Sequence, residues 1–273
     1  MTPPSAFTDP AAQPHLYGNA ARLARRTTAL HAAKVAGGDA STTLAQLAAH
    51  YQPHAGLTAD IGCGRGSAAL QLARHLPATR PLLVDQSDAL LRAACQRLTD
   101  ADIRPIMLRA DFHRLPLADA VLDVALAAFC LYHSPDPGRV VAEIGRTLTP
   151  RGVALFATKS ASSYHELDKL VAHSGLDPDA DAGPSLYAAF HTGNAEPIVN
   201  AHLRIHRIEH QRHTFVFTNL AHVAAYLATT PKYRIPPDLT GNPELLADAL
   251  RMRLADQPVT ATSTVTYVVA GHR

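Results

Sequence analysis

Asp60-Ile61-Gly62-Cys63-Gly64-Arg65-Gly66 is the segment of this chain best equipped for chemistry. A short apolar run, Leu57–Ile61, leads into it, and a helical pattern, Ser67–His75, follows. Glycines at alternate positions let the backbone turn sharply and approach a ligand with no Cβ in the way. The helix behind them offers free N–H groups. Nicotinamide, flavin and nucleotide folds use similar turns, so the motif alone does not choose among them. The G-x-G-x-G spacing is one residue short of the G-x-G-x-x-G dinucleotide fingerprint, and no Lys-Ser/Thr follows, which excludes a P-loop. Asp85 ends the run Leu82-Leu83-Val84, 19 residues after Gly66, where an acid can accept from a ribose diol. Asp111 follows a third apolar run, where it can accept from an adenine amine while Phe112 packs on the ring. Singly, each acid reads as a cap or turn residue. Three acids at successive strand ends form a constellation.

Elements of a particular kind must hold these residues. The pattern predicts strands over Leu57–Ile61, Pro81–Val84, Pro105–Leu108, Val121–Ala127 and Gly152–Ala157. It predicts helices over Ser67–His75, Ser87–Leu98 and Arg139–Leu148, with Ser87 as a cap. Strands alternating with helices imply βαβ units and a parallel sheet. Continuously apolar strands suit such a sheet, which is covered on both faces. Leu203–Phe217 alternates as a strand, Asn219–Ala228 is helical, and Ser263–Ala270 is a final strand. Before the sheet, Leu16, Ala20, Leu23, Thr27 and Leu30 recur at helical spacing, with Arg22, Arg25, Arg26 and Lys34 expected as solvated charges. Ser41, Thr42 and Thr43 offer N-caps for a short helix through His50.

Composition removes other classes. The 25 Lys+Arg against 23 Asp+Glu leave no basic excess for a nucleic-acid backbone. Only four of the positive residues are lysines, and one of them, Lys159, falls at a strand end. Three widely spaced cysteines (Cys63, Cys95 and Cys130) form no CxxC pair and suggest neither a zinc ribbon nor a disulfide framework. No run approaches the ~20 apolar residues of a membrane span, and the N-terminus carries no signal-peptide pattern. The expected setting is the cytoplasm.

In its motifs the chain resembles the class I S-adenosylmethionine-dependent methyltransferases, in their small-molecule branch, from about Leu57 to Thr158. Asp60–Gly66 matches the family's glycine motif, which implies that Asp60, Gly62 and Gly64 hold the methionine part of the cofactor. Asp85 matches the ribose acid, Gln86 lies beside the adenine, and Asp111-Phe112 matches the adenine contact. Asp123–His133, with Ala128 and Phe129 beside the cofactor, resembles the fourth-strand motif and its exit loop. Leu148-Thr149-Pro150-Arg151-Gly152 resembles the lead into the fifth strand, although glycine is commoner where Arg151 stands. The resemblance implies an α/β, Rossmann-like sheet of seven strands, mostly parallel with an antiparallel last strand and helices on both faces. It also implies a helical lid segment over residues 1–50, with Tyr17 over the cofactor, and a methyltransferase domain over 51–273. Substrate-pocket elements fall at about 160–260. The chemistry is coherent: the cofactor is a phosphate-free cation, whereas three carboxylates would repel a pyrophosphate.

Methyl transfer from a sulfonium is an in-line displacement driven by alignment, and it needs a base only when the acceptor must lose a proton. Residues after the fourth and fifth strands should face the methyl group. His133 is the candidate base, Tyr132 a pocket wall or catalytic group, and Lys159 a partner for an acidic substrate group, with Ser160, Tyr164 and His165 nearby. A helix over Ser162–His173 would roof the pocket. His202, His206, His210 and His213 recur every three or four residues, but the segment alternates as a strand, so no metal is expected. The expectation is transfer to an O, N or C atom of a small molecule in bacterial specialised metabolism, antibiotic biosynthesis included. Neither nucleic acid nor membrane is an expected partner, and a homodimer is compatible with the sequence. Competing readings are an RNA methyltransferase, a fold relative that binds the cofactor without transferring methyl, and a nicotinamide oxidoreductase.

Overall fold

The computed structural model describes residues 7–8 and 20–273. Tyr17, and with it the expected start of the first helix, lies outside them. The described chain runs α1 (Ala20–Ala33), β1 (Lys34–Ala36), α2 (Ala40–Tyr51), β2 (Leu57–Ile61), α3 (Ser67–His75), β3 (Arg80–Asp85), α4 (Asp88–Thr99), β4 (Ile106–Arg109) and β5 (Leu122–Ala128). A 3-10 turn (Leu131–His133), α5 (Pro137–Thr147), β6 (Leu148–Lys159), α6 (His165–His173), α7 (Ala195–Asn200), β7 (Arg204–Phe217), α8 (Leu220–Leu227), α9 (Pro243–Arg251) and β8 (Val259–Gly271) complete it.

One sheet holds every strand, in the order β1-β7-β8-β6-β5-β2-β3-β4. The five strands from β6 to β4 are parallel. The last strand of the chain, β8, runs antiparallel to both neighbours, β6 and β7. Among the described residues the sheet has eight strands rather than the expected seven. The extra one, β1, pairs Lys34 with Phe215 and Ala36 with Thr214 at the sheet edge. Three residues are too few to show an alternation, so this strand merges in the sequence with the end of the helical pattern.

Side-chain alternation places helices on both faces. Val124, Leu126, Val153 and Leu155 pack with Leu44 and Leu47 of α2 and Leu72 of α3. The intervening Ala125, Ala127, Ala154 and Phe156 pack with Val140, Val141 and Ile144 of α5 and Leu167 of α6. These strand residues are almost wholly buried, which explains their unbroken apolar sequence. Caps set the helix starts. Ser87 accepts from Leu90 N as the sequence predicts. For α2 the cap is Asp39, two to four residues earlier than the expected Ser41 to Thr43, because its extended backbone lets its carboxylate accept from Thr42 N. Among the described residues, no helix is long and apolar enough to cross a membrane.

The segment between α8 and α9 is tied down by a part-buried ion pair. Lys232 Nζ lies 2.5 Å from Asp168 Oδ2, and Tyr233 Oη donates to Asp168 Oδ1 at 2.8 Å. Asp168→Ala would leave an ammonium and a hydroxyl without their acceptor. We expect a loss of about 2–3 kcal/mol, measured by urea unfolding, and Asp168→Asn should recover part of it.

Candidate functional site

The chain order reverses at β2, whose neighbours are β3 on one side and β5 on the other. In an open α/β sheet the crevice beyond the strands' carboxyl ends at this point is the expected ligand position. A cavity of about 740 Å³ lies there.

The acidic wall of the cavity follows from local geometry. Gly62, Gly64 and Gly66 all have positive φ, of 67°, 53° and 73°. A Cβ on Gly62 would sit 2.7 Å from Cys130 Cβ, so the loop is packed too closely for any side chain there. Gly62→Ala combines a left-handed backbone penalty with overpacking, together about 2–5 kcal/mol. We expect Tm to fall by about 5–10 °C in a thermal melt, with loss of ligand binding. Asp60 is buried at the end of β2 and accepts from Ala69 N at 3.0 Å. Burial pushes its pKa up to about 7, against the pull of that hydrogen bond, and Asp85 adds to the rise. Asp85 Oδ2 accepts from Gly64 N and Oδ1 from Ser87 N, both at 2.9 Å, so one carboxylate straps β3 to the glycine loop. Burial raises its pKa too, while these backbone donors hold it down. Burial likewise raises the Cys63 and Cys130 thiols, which keeps them unreactive.

Gln86, Phe112, Ala128 and Phe129 line the cavity as expected. Asp111 does not: its Oδ1 accepts from His113 N at 2.9 Å and meets His113 Nδ1 at 2.7 Å, and its side chain is 63% exposed. His113 Nε2 in turn meets Ser134 Oγ at 2.7 Å. The structure therefore gives Asp111 the work of bracing its loop against the β5 exit, while its neighbours Ala110 and Phe112 face the cavity. The spacing located the loop correctly, but the direction of its carboxylate is decided by His113.

The second wall is aromatic and cationic. Phe129, at the end of β5, has φ of 57°, a strained backbone of the kind found where a side chain is aimed at a site. Lys159, at the end of β6, donates to Tyr164 Oη at 2.8 Å and lies 4.8 to 5.6 Å from the ring centroids of Tyr164, Phe129 and Tyr187. Tyr132 lines the cavity, stacked against Phe7 at 5.4 Å. His133 lines it too, with Nδ1 3.3 Å from Phe7 O. Burial, with a contribution from the Arg26 charge, lowers its pKa to about 3. A conjugate acid that strong has little driving force to take a proton at neutral pH, so His133 fits a wall better than a general base. Tyr164 does not begin a roof helix at Ser162 as expected. It stands at φ of 66° just before α6, with its side chain turned down into the cavity wall.

Several cavity residues escape the sequence patterns. Arg26, expected in solvent, faces the cavity, and Arg22 Nε donates to Thr229 O at 3.2 Å. Lys34 and His213 line the cavity, whereas His206 stacks on Tyr51 and His210 meets Thr266 Oγ1. β7 shifts register between Ile205 and Arg207, and the three histidines have separate surroundings, so they form no stripe. Burial, then Lys34 and Lys159, lower the His213 pKa to about 4. Tyr187 and Tyr226, from segments with no distinctive motif, complete the wall, and burial raises both phenols.

Comparison with known proteins agrees with this geometry. Residues 59–156 match the family model described as a methyltransferase domain. The chain is 34% identical over 142 residues to a malonyl-[acyl-carrier protein] O-methyltransferase of Alcanivorax borkumensis, covering 50% of this chain and 48% of that protein. It is 32% identical over 145 residues to a dimethylglycine N-methyltransferase of Parasynechococcus marenigrum, covering 50% of each. The alignments thus span about half the length of these curated relatives. A solved structure from Bacillus halodurans, of a candidate methyltransferase, superposes with a TM-score of 0.60 at 15% identity, over 85% of this chain and 98% of that one. Residues 59–156 thus resemble a methyltransferase domain, whose methyl donor in the class I family is S-adenosylmethionine. The residues present suit that cofactor. Two buried carboxylates at adjacent strand ends are acceptors for an ammonium and for ribose hydroxyls, and the glycine turn leaves room for close approach.

Proposed function

We propose that this chain transfers a methyl group from S-adenosylmethionine to an O, N or C atom of a small-molecule acceptor. The observation that carries the proposal is one continuous cavity with two chemically distinct walls, acids and glycines on one side, aromatic rings and cations on the other. When bound, the cofactor supplies an already activated methyl group. This chain's residues then have to bind, align and exclude water. Asp60 and the glycine turn hold the amino-acid head, Asp85 the ribose, and Phe112 with Gln86 the adenine. Phe129 and Ala128 lie between the two walls. The rings of Tyr132, Tyr164 and Tyr187 shape the acceptor space. Helix α1 covers the cavity as a lid, with Leu23 against Gly64.

Five side chains of this wall are not tuned as bases. His133 and His213 are pushed down to about 3 and about 4, and Tyr164, Tyr187 and Tyr226 are pushed up. Rate enhancement is therefore assigned to proximity and alignment, and the acceptor should arrive with its nucleophilic lone pair free. The bacterial origin of the matched relatives supports a bacterial metabolic role, and specialised metabolism in the cytoplasm is its narrower form.

Calorimetry with S-adenosylhomocysteine and with NADH provides the first test. Micromolar-range binding of the former alone is expected. A methyl-labelled cofactor should then pass its label to a small-molecule fraction of a bacterial extract. Label appearing in RNA would support the RNA reading, and tight cofactor binding without any transfer would favour the non-methylating relative.

A further inference from the structure

The basic residues of the cavity are arranged for a specific kind of ligand. Arg26 Nε and Nη2 are buried, and among the described residues neither has a hydrogen-bond partner. Buried donors are rarely left in this state, because each forfeits its hydration without compensation. The two nitrogens are also the particular pair that share one edge of a guanidinium. Their N–H bonds point the same way, in the fork that a carboxylate bridges with two oxygens.

Lys159 supplies a second cation to the same wall. Its ammonium is caged by three rings, and among the described residues no carboxylate lies within ion-pair distance of it or of Arg26. Both charges act on the Tyr187 phenol, which places them around one part of the cavity. Lys34 also lies close enough to Lys159 for the two charges to oppose each other, but its own charge is offset by the Asp39 carboxylate, which leaves Arg26 and Lys159 as the cations without one. A wall carrying these cations stands opposite the site assigned above to a sulfonium cofactor. Like charges there need an anion between them.

We propose that the acceptor end of the cavity is a carboxylate-binding site in which Arg26 takes the two oxygens side-on and Lys159 supplies a second positive charge. The methyl acceptor is then a small carboxylic acid whose apolar or aromatic body lies among Tyr132, Tyr187 and Phe215. This rests on the assignment of the acidic wall to the cofactor. A rival source for the anion is the carboxylate of the cofactor itself. Position argues against it: Leu23, one helical turn earlier, is the residue that meets the glycine loop, whereas the Arg26 charge acts on His133, Tyr187 and Tyr226.

The test uses the full chain saturated with S-adenosylhomocysteine and titrated with benzoate, 3-phenylpropionate, their amides and phenyl phosphate. At least one carboxylate should bind about tenfold or more tightly than its amide and more tightly than phenyl phosphate. Arg26→Gln should weaken that carboxylate by about tenfold or more, Arg26→Lys by less, and Lys159→Met by several-fold, all with unchanged affinity for S-adenosylhomocysteine. That unchanged affinity also reports that each variant is folded. Carboxylates that fail to bind, amides that bind equally, or phenyl phosphate that binds best would each overturn the proposal. So would an Arg26→Gln variant that loses S-adenosylhomocysteine while keeping benzoate, which would assign the anion to the cofactor. Failure of the wild-type chain to bind S-adenosylhomocysteine at all would instead strike at the methyltransferase function on which the proposal rests.

Discussion

Asp85→Ala should weaken binding of S-adenosylhomocysteine by about 100-fold or more, measured by calorimetry at neutral pH. Under the proposed assignment the carboxylate accepts from two ribose hydroxyls, and hydrogen bonds to a charged group contribute about 1.5–3 kcal/mol each. Losing both removes about 3 kcal/mol at the least, and every 1.4 kcal/mol is a factor of ten. A second effect adds to the first. Asp85 also receives Gly64 N and Ser87 N, so its removal releases the glycine loop from β3. Asp85→Asn separates the two contributions, because an amide oxygen can keep one backbone bond while the charge is lost. The asparagine variant should fall between wild type and alanine in affinity and melt close to wild type. An alanine variant that binds within about threefold of wild type would refute the ribose assignment.

Asp60→Asn should remove a fall in stability with rising pH from the unliganded protein. In the folded chain Asp60 has a pKa of about 7, raised from 3.8 mainly by burial. Between those values the folded state holds a proton that the unfolded chain has released. Stability from this group is therefore fully present below the unfolded pKa and is lost as pH rises towards about 7. At about 1.4 kcal/mol per pKa unit the loss reaches at most about 4 kcal/mol. Asparagine keeps an oxygen for Ala69 N and never ionises. Denaturant melts should show the two proteins alike near pH 4, with the variant more stable by a few kcal/mol at pH 8. Ligand binding should move the other way. A cationic ammonium needs the ionised carboxylate, so wild-type affinity for S-adenosylhomocysteine should climb from pH 5 to about 7, and the variant should lose most of that affinity and its slope. Parallel stability curves for the two proteins would show that Asp60 is not the titrating group.

The parts of the molecule that were legible from residues alone are those with local causes. Leu57–Ile61 and Ser67–His75 form the predicted strand and helix to the residue, because apolar run, glycine turn and helical pattern follow one another without interruption. Ser87 caps its helix because the capping interaction spans only three residues. Asp60, Asp85 and the glycines meet in the cavity because parallel strands end on the same side of the sheet. Where the sequence pattern misled, the cause was non-local. β1 exists only because β7 offers an edge to Lys34 and Ala36. Asp111 turns away because His113 takes its carboxylate. His133 loses its basicity because the surrounding core buries it, against the pull of the Phe7 carbonyl.

The sequence by itself determined the α/β order, the acid-and-glycine wall of the cavity and the resemblance to a methyltransferase domain. Each depends on spacing along one or two consecutive elements. Only the tertiary structure decided what faces that wall across the cavity. Arg26 lies on a basic helix, Lys159 at a strand end, Tyr187 in an irregular loop and His213 on one face of a long strand, and they are up to 187 residues apart in the chain. No periodicity links them. They meet because the sheet order brings β6, β8 and β7 together beneath α1, and burial there turns ordinary surface residue types into a charged, aromatic cavity wall.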